Sequence, residues 1–179
     1  MHLLAGTVAL LALFAIVGAI AATRPDSWTI ERSVRIESAP ALIFPLIDDL
    51  RAWRRWSPFE MLDPEMTREY SGAARGVGAA YAWNGNRHAG EGRMEIVESR
   101  VPTHIRVHVD FQRPFVAHNV NTFELNQENE ATRVTWTMRG TQPFLLKVMS
   151  VFVKPDRLMG THFETGLSNL RREATTKQV

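Results

Sequence analysis

PDRLMGTHFETGLSNLRREAT, residues 155–175, has the pattern of one long amphipathic helix near the end of the chain. On a period of 3.6 residues its apolar side chains form a single stripe made of Met159, Phe163, Leu167, Leu170 and Ala174. Pro155 suits a first helical turn, and Arg171 and Arg172 suit a last turn, where the helix dipole favours cations. We therefore predict that this helix packs its apolar stripe on the rest of the domain.

Two glycines interrupt this helix on or beside its apolar stripe. Gly166 lies in the middle of the stripe and Gly160 at its edge, and each costs about 1 kcal/mol relative to alanine in a helix interior. A helix that keeps both glycines needs space on that face, either for close packing on a sheet or for a ligand. The sequence leaves both interpretations open.

Residues 3–22, LLAGTVALLALFAIVGAIAA, are uncharged and almost wholly apolar. As a helix they would extend about 30 Å, the thickness of a bilayer core, which favours a transmembrane anchor. A cleaved signal peptide is the alternative, because an Ala-Ile-Ala pattern lies near the end of the segment. The nearby positive residues all follow the segment, and the positive-inside tendency then places the globular domain in the cytoplasm. We therefore expect an anchor in residues 1–23, one globular domain in residues 24–179, and a single-pass membrane location.

The composition is that of a folded domain without a nucleic-acid surface. Of the 179 residues, 45% are hydrophobic and 22% are charged, as in ordinary globular proteins. The formal net charge is only +2, and no run of Lys or Arg exceeds two residues, which argues against nucleic acid as a partner. The chain has no cysteine, so it has neither disulfides nor a thiolate nucleophile.

Between the apolar segment and the last helix, a short helical region is flanked by strands. Residues 27–36 alternate as a strand, and residues 39–56 predict two short helical pieces. From Thr67 to Arg139 the hydrophobic period is two, with turns between short runs such as the Asn84-Gly85 hairpin signal. Successive strands joined by short turns predict an antiparallel meander with one apolar face.

The chain lacks a recognisable catalytic constellation. His104 and His108 would lie about 13 Å apart on a strand, too far for one metal ion, and neither Gly-x-Gly stretch has the context of a nucleotide loop. We therefore assign no catalytic residue, no metal ligand and no cofactor. Asn119 and Asn121 share strand parity with Phe123, so if Phe123 faces inward they do as well, either to pair with backbone at a bulge or to reach a ligand.

The segment Phe144 to Val153 is more apolar than an ordinary surface helix. It has three interpretations: a core helix, a flap over a cavity, or a surface that rests on a bilayer.

Several stretches resemble one family: SVRIESAPALIFPLIDDLRAWRRWSPFE (33–60), YSGAARGVGAAYAWNGN (70–86), GEGRMEIVES (90–99), TRVTWTMRG (132–140) and MGTHFETGLSNL (159–170). Over residues 27–175 the chain is similar to START-like and polyketide-cyclase-like proteins of the SRPBCC superfamily. The resemblance implies an α+β helix-grip fold, in which a curved antiparallel sheet wraps around a long C-terminal helix and leaves a cavity. The superfamily includes sterol and lipid carriers, aromatase/cyclases, quinone-binding proteins and chaperone activators, so the fold alone does not decide the function.

The resemblance favours binding or transport of a hydrophobic small molecule, namely a lipid, a quinone or a polyketide-like compound. A polyketide cyclase or dehydratase is the first alternative, and a protein-interaction module is the second. The expected partners are the hydrophobic ligand and, through residues 3–22, a membrane; we assign no protein partner. The candidate ligand-binding residues are Tyr81, Trp83, Met94, Phe111, Asn119, Asn121, Trp136, Met159, Phe163, Gly166 and Leu167.

Overall fold

A seven-stranded antiparallel sheet and a long C-terminal helix make up most of the fold. The computed structural model describes residues 2–142, 147–148, 151 and 155–176. Its α-helices are α1 (His2–Ala22), α2 (Pro40–Asp48) and α3 (Pro155–Thr176), and two 3-10 turns lie at Ala52–Arg55 and Pro58–Met61. The strands are β1 (Ser27–Ile36), β2 (Thr67–Gly72), β3 (Ala79–Asn84), β4 (Glu91–Arg100), β5 (His104–Arg113), β6 (Ala117–Glu128) and β7 (Ala131–Thr141).

The strand order in the sheet is β1-β7-β6-β5-β4-β3-β2, and every neighbouring pair is antiparallel. Strands β2 to β7 therefore form the predicted meander, while β1 joins the far edge beside β7. Helix α3 lies against β1, where the Arg32 guanidinium contacts the Asp156 and Glu164 carboxylates, both at 2.8 Å. This architecture confirms the predicted α+β helix-grip fold.

An aromatic cluster lies where α3, the 3-10 turns and the central strands meet. It consists of Trp53, Trp56, Phe123, Trp136 and Phe163, all buried. The indole N–H groups of Trp53 and Trp56 donate to the backbone carbonyls of Ile47 and Leu46, both at 2.8 Å. Because buried polar groups need partners, these bonds fix both rings and tie the turn at Ala52–Arg55 to α2.

The prediction of a membrane-spanning helix, and with it the single-pass membrane location, is wrong for this structure. Over the residues described with their side chains, no helix is long and apolar enough to cross a membrane. A crossing helix needs about 20 predominantly apolar residues.

Two further sequence predictions are not settled by the fold. Most of the segment Phe144 to Val153, interpreted as a flap, a core helix or a bilayer-contacting surface, lies outside the described residues. The division of the chain at residue 23 also stays a prediction.

Candidate functional site

A cavity of about 500 Å³ lies between the inner face of the sheet, the turn at Pro58–Met61 and the first half of α3. Its size is within the range of small-molecule sites. The wall is predominantly apolar, and its Phe, Tyr and Trp members are Trp53, Phe59, Tyr81, Trp83, Phe111, Phe115 and Trp136. Its polar members include Ser57, Glu60, His88, Asn121 and His162.

The aromatic rings on the strands are held in fixed orientations by one another. The Trp83 ring meets Phe111 edge-on at 5.5 Å between centroids and lies 5.9 Å from Tyr81. The Trp83 indole N–H also donates to the Ala89 carbonyl at 3.1 Å. Since offset and edge-on ring pairs are the favourable arrangements, these strands present flat and rigid apolar walls to the cavity.

Trp136 and Asn121 form a second fixed part of the wall. The Trp136 ring is fully buried and stacks between Phe163, at 4.1 Å, and Phe123, at 5.1 Å. Its indole N–H donates to Oδ1 of Asn121 at 3.1 Å. An amide side chain also carries an NH₂ donor, so Asn121, which lies on the cavity wall, can offer that donor to a ligand.

Glu60, in the turn at Pro58–Met61, brings a carboxylate to the cavity wall with only 8% of the residue exposed. Its Oε1 accepts from the Tyr81 hydroxyl at 2.8 Å, and its Oε2 accepts from Nε of Arg68 at 2.8 Å. Arg68 is fixed in turn, because Nη1 donates to the carbonyls of Met66 and Pro64 at 2.7 and 3.2 Å. A buried charge requires such partners, and here Arg68 on β2 and Tyr81 on β3 supply them.

Burial, and after it the hydrogen bond to Glu60, raises the pKa of Tyr81 well above the ordinary value for tyrosine. The Tyr81 hydroxyl is therefore protonated at neutral pH and acts as a donor to Glu60. The Tyr70 ring stacks on Tyr81 at 4.9 Å between centroids, and burial likewise raises the pKa of Tyr70. Of these two rings, Tyr81 lies on the cavity wall.

The cavity opens to solvent near the β5–β6 connection. Phe115 lies on the cavity wall and is 64% exposed, so it borders the opening. Across the cavity His162, on α3, lies with its ring 5.5 Å from that of Phe59.

The structure brings most of the candidate ligand-binding residues together on this wall: Tyr81, Trp83, Met94, Phe111, Asn121, Trp136 and Met159. The others lie elsewhere. Phe163 and Leu167 are buried in the core beyond Trp136, and Asn119 lies beside Gly140, its partner on β7. Ligand contact by any of these residues stays a prediction.

Gly166 packs against protein rather than lining the cavity. A Cβ atom built on Gly166 would lie 2.8 Å from Cζ3 of Trp136 and 3.0 Å from Cδ of Pro58. The space left by this glycine is therefore taken by the Trp136 ring, which favours close packing over ligand clearance. At Gly160 the space is taken by the Arg32 guanidinium.

Sequence reasoning missed Glu60, Phe59, His162 and His88. The Ser57-Pro58 stretch indicates by itself only the end of a helix, although a Glu flanked by apolar residues in Phe59-Glu60-Met61 is a signal of a buried carboxylate. His162 and Glu164 are neighbours on a helix that point in different directions, so their spacing predicts no metal site. Neither Glu60 nor His162 could be placed on the cavity wall without the tertiary contacts.

Comparison with solved structures agrees with the helix-grip architecture. A Thermus thermophilus protein is 18% identical, with a TM-score of 0.62, over 85% of this chain and 100% of that protein. A Nitrosospira multiformis protein is 16% identical, with a TM-score of 0.60, over 84% and 98% of the two chains. The major latex-like protein 151 of Panax ginseng is 13% identical, with a TM-score of 0.57, over 84% and 99%. At these identities the likeness concerns the fold alone.

No curated protein sequence matches this chain at a significant level. A family model does match, over residues 27–175, and its description is polyketide cyclase / dehydrase and lipid transport. This range includes every strand, α2, most of α3 and all the residues of the cavity wall. The predicted family is thereby confirmed: the chain belongs to the polyketide cyclase / dehydrase and lipid transport family.

Proposed function

We propose that this protein binds a hydrophobic small molecule of lipid, quinone or polyketide type in the cavity beneath α3 and carries it in the bound state. The observation that supports this most directly is the cavity itself, because about 500 Å³ of space is enclosed by aromatic and aliphatic side chains. An apolar ligand that fills the cavity is removed from water, which contributes a favourable binding free energy of about 25 cal/mol per Å² of apolar surface buried.

The polar groups on the wall support specific binding rather than a nonspecific apolar contact. A small number of fixed polar groups on an apolar wall is typical of ligand sites. Glu60 and Asn121 are both held by hydrogen bonds to neighbouring side chains. They can therefore orient a ligand without first having to be ordered themselves.

Displacement of a neutral fluorescent probe, N-phenyl-1-naphthylamine, tests the proposal on the full chain. We expect the parent protein to enhance the probe's fluorescence and extracted lipids or quinones to displace it. Ala117→Trp places an indole in the cavity from β6, since Ala117 lies on the wall. This variant should lose at least about tenfold in probe affinity, because the new ring occupies the volume of the ligand.

Glu124→Trp is the matched control, because Glu124 is exposed on the opposite face of β6. This variant adds the same ring outside the cavity and should bind the probe as the parent does. Equal probe binding by the parent and by Ala117→Trp, with both proteins folded, contradicts a ligand site in this cavity.

A further inference from the structure

We propose that the ligand carries a hydrogen-bond donor, such as an alcohol or a phenol, which binds the Glu60 carboxylate, and that ligands bearing a carboxylate are excluded. This inference rests on the proposed function, since it specifies which hydrophobic molecules the cavity accepts. It gives Glu60 the role of the specificity-determining residue.

Glu60 has acceptor capacity left for a ligand. An ionised carboxylate has about four lone-pair positions and no donor. Tyr81 occupies one position on Oε1, and Arg68 occupies one on Oε2. Both oxygens can therefore accept a further hydrogen bond, and Glu60 lies on the cavity wall. A ligand group can therefore hydrogen-bond to this carboxylate only as the donor.

The positive charge that neutralises Glu60 is directed away from the ligand space. The donors of Arg68 are directed at Glu60 and at the backbone carbonyls of Asp63, Pro64 and Met66. Among the described residues, the cavity wall includes neither Arg68 nor any other Arg or Lys. Among Asp, Glu, Lys and Arg residues, Glu60 is therefore the only one on the described part of the wall, and its charge is negative.

A carboxylate on the ligand would meet this negative charge in a site shielded from water. Like charges that approach closely at low dielectric repel each other, so this contact would be unfavourable. A hydroxyl instead donates to Glu60, and the Asn121 amide can donate to an acceptor elsewhere on the ligand. The site therefore favours a neutral donor over an acid of the same size.

Three probes of nearly equal shape test this inference by displacement of N-phenyl-1-naphthylamine at neutral pH. They are 2-naphthol, which has a donor; 2-methoxynaphthalene, which has none; and 2-naphthoate, which is anionic. We expect the full-length parent to bind 2-naphthol at least about tenfold more tightly than 2-methoxynaphthalene, since a hydrogen bond to a charged group has that effect. The affinity for 2-naphthoate should be lower still.

The variant Glu60→Leu with Arg68→Met replaces the buried ion pair by apolar residues, a change that commonly preserves folding. In it the preference for 2-naphthol over 2-methoxynaphthalene should fall to about threefold or less. Glu60→Gln keeps the size and shape of the side chain, and it should bind 2-naphthoate more tightly than the parent does. This variant provides the test of Glu60 if the double variant does not fold. Glu128→Leu with Arg133→Met removes an exposed ion pair and should leave all three affinities unchanged.

The outcomes separate the two proposals. Equal binding of 2-naphthol and 2-methoxynaphthalene by the parent overturns the inference and leaves the proposed function standing, provided that N-phenyl-1-naphthylamine binds. A preference that survives in the double variant, or an unchanged 2-naphthoate affinity in Glu60→Gln, likewise overturns the role of Glu60. Failure of the parent to bind any of the four compounds contradicts the proposed function and this inference with it.

Discussion

Replacing Gly166 by leucine tests whether the buried face of α3 is packed or open at its centre. The structure places Trp136 and Pro58 within 2.8 and 3.0 Å of a Cβ atom at this position. The Trp136 ring cannot move away easily, because it is fully buried, is stacked on Phe163 and donates to Asn121. The larger side chain must therefore displace the helix from the sheet.

Two opposing effects set the size of the change in stability. Removing a glycine from the helix interior stabilises the folded state by about 1 kcal/mol. Overpacking of a closed core destabilises the folded state by about 1–3 kcal/mol. The cost for leucine should be near the upper limit of this range, because even a Cβ atom at this position would lie too close to its neighbours. The expected net loss is about 2 kcal/mol, which for a domain of this size lowers the melting temperature by about 4–8 °C.

The measurement is the free energy of unfolding by urea, together with thermal unfolding followed by circular dichroism. Ser168→Leu is the matched control, since Ser168 is exposed on the same helix; its melting temperature should stay within about 2 °C of the parent's. If Gly166→Leu melts at or above the parent temperature, the face is open at this point, and the interpretation of Gly166 as clearance for a ligand is correct.

Two further variants concern the buried charges. Arg68→Ala leaves the Glu60 carboxylate buried without its cation and should lower the free energy of unfolding by about 3–5 kcal/mol. Arg133→Ala removes one partner of an exposed pair and should lower it by at most about 1 kcal/mol. Similar losses in both variants would contradict a buried pair. The raised pKa of Tyr81, caused by burial and then by the bond to Glu60, gives stability that is fully present below the unfolded pKa of about 10 and lost as pH rises above it. Between pH 9 and 11.5, the free energy of unfolding measured with urea should therefore fall with rising pH in the parent, and it should fall less steeply in Tyr81→Phe, by up to about 1.4 kcal/mol per pH unit. Parallel pH profiles for the two proteins would contradict the raised pKa.

The family resemblance predicted the helix-grip fold, and the individual helices and strands could be predicted because their signals are local in the sequence. The period of 3.6 residues predicts α3 from Pro155, and the structure extends it to Thr176. The period of two predicts the six strands of the meander, whose short turns leave little choice of neighbour. Each of these signals depends on residues within one element.

The polar part of the site could not be predicted because its members are distant in the sequence. Glu60 is 8 residues from Arg68 and 21 residues from Tyr81, and the three side chains meet only when the 3-10 turn folds against β2 and β3. No periodicity links a residue in a short turn to its partners on two strands. Sequence patterns therefore do not reveal the pairing, although each of the three residues is visible in them.

The apolar stripe of α3 shows a second limit of sequence patterns. Hydrophobic periodicity marks the face of a helix that is removed from water, and it does so equally for a packed core and for a cavity wall. Met159 lies on the cavity wall, whereas Gly166 and Leu167, on the same stripe, lie in packed protein. Trp136 forms the boundary, because one ring lines the cavity, stacks on Phe163 and occupies the space beside Gly166. The extent of the cavity along α3 is thus set by a side chain on β7, which the sequence of the helix does not contain.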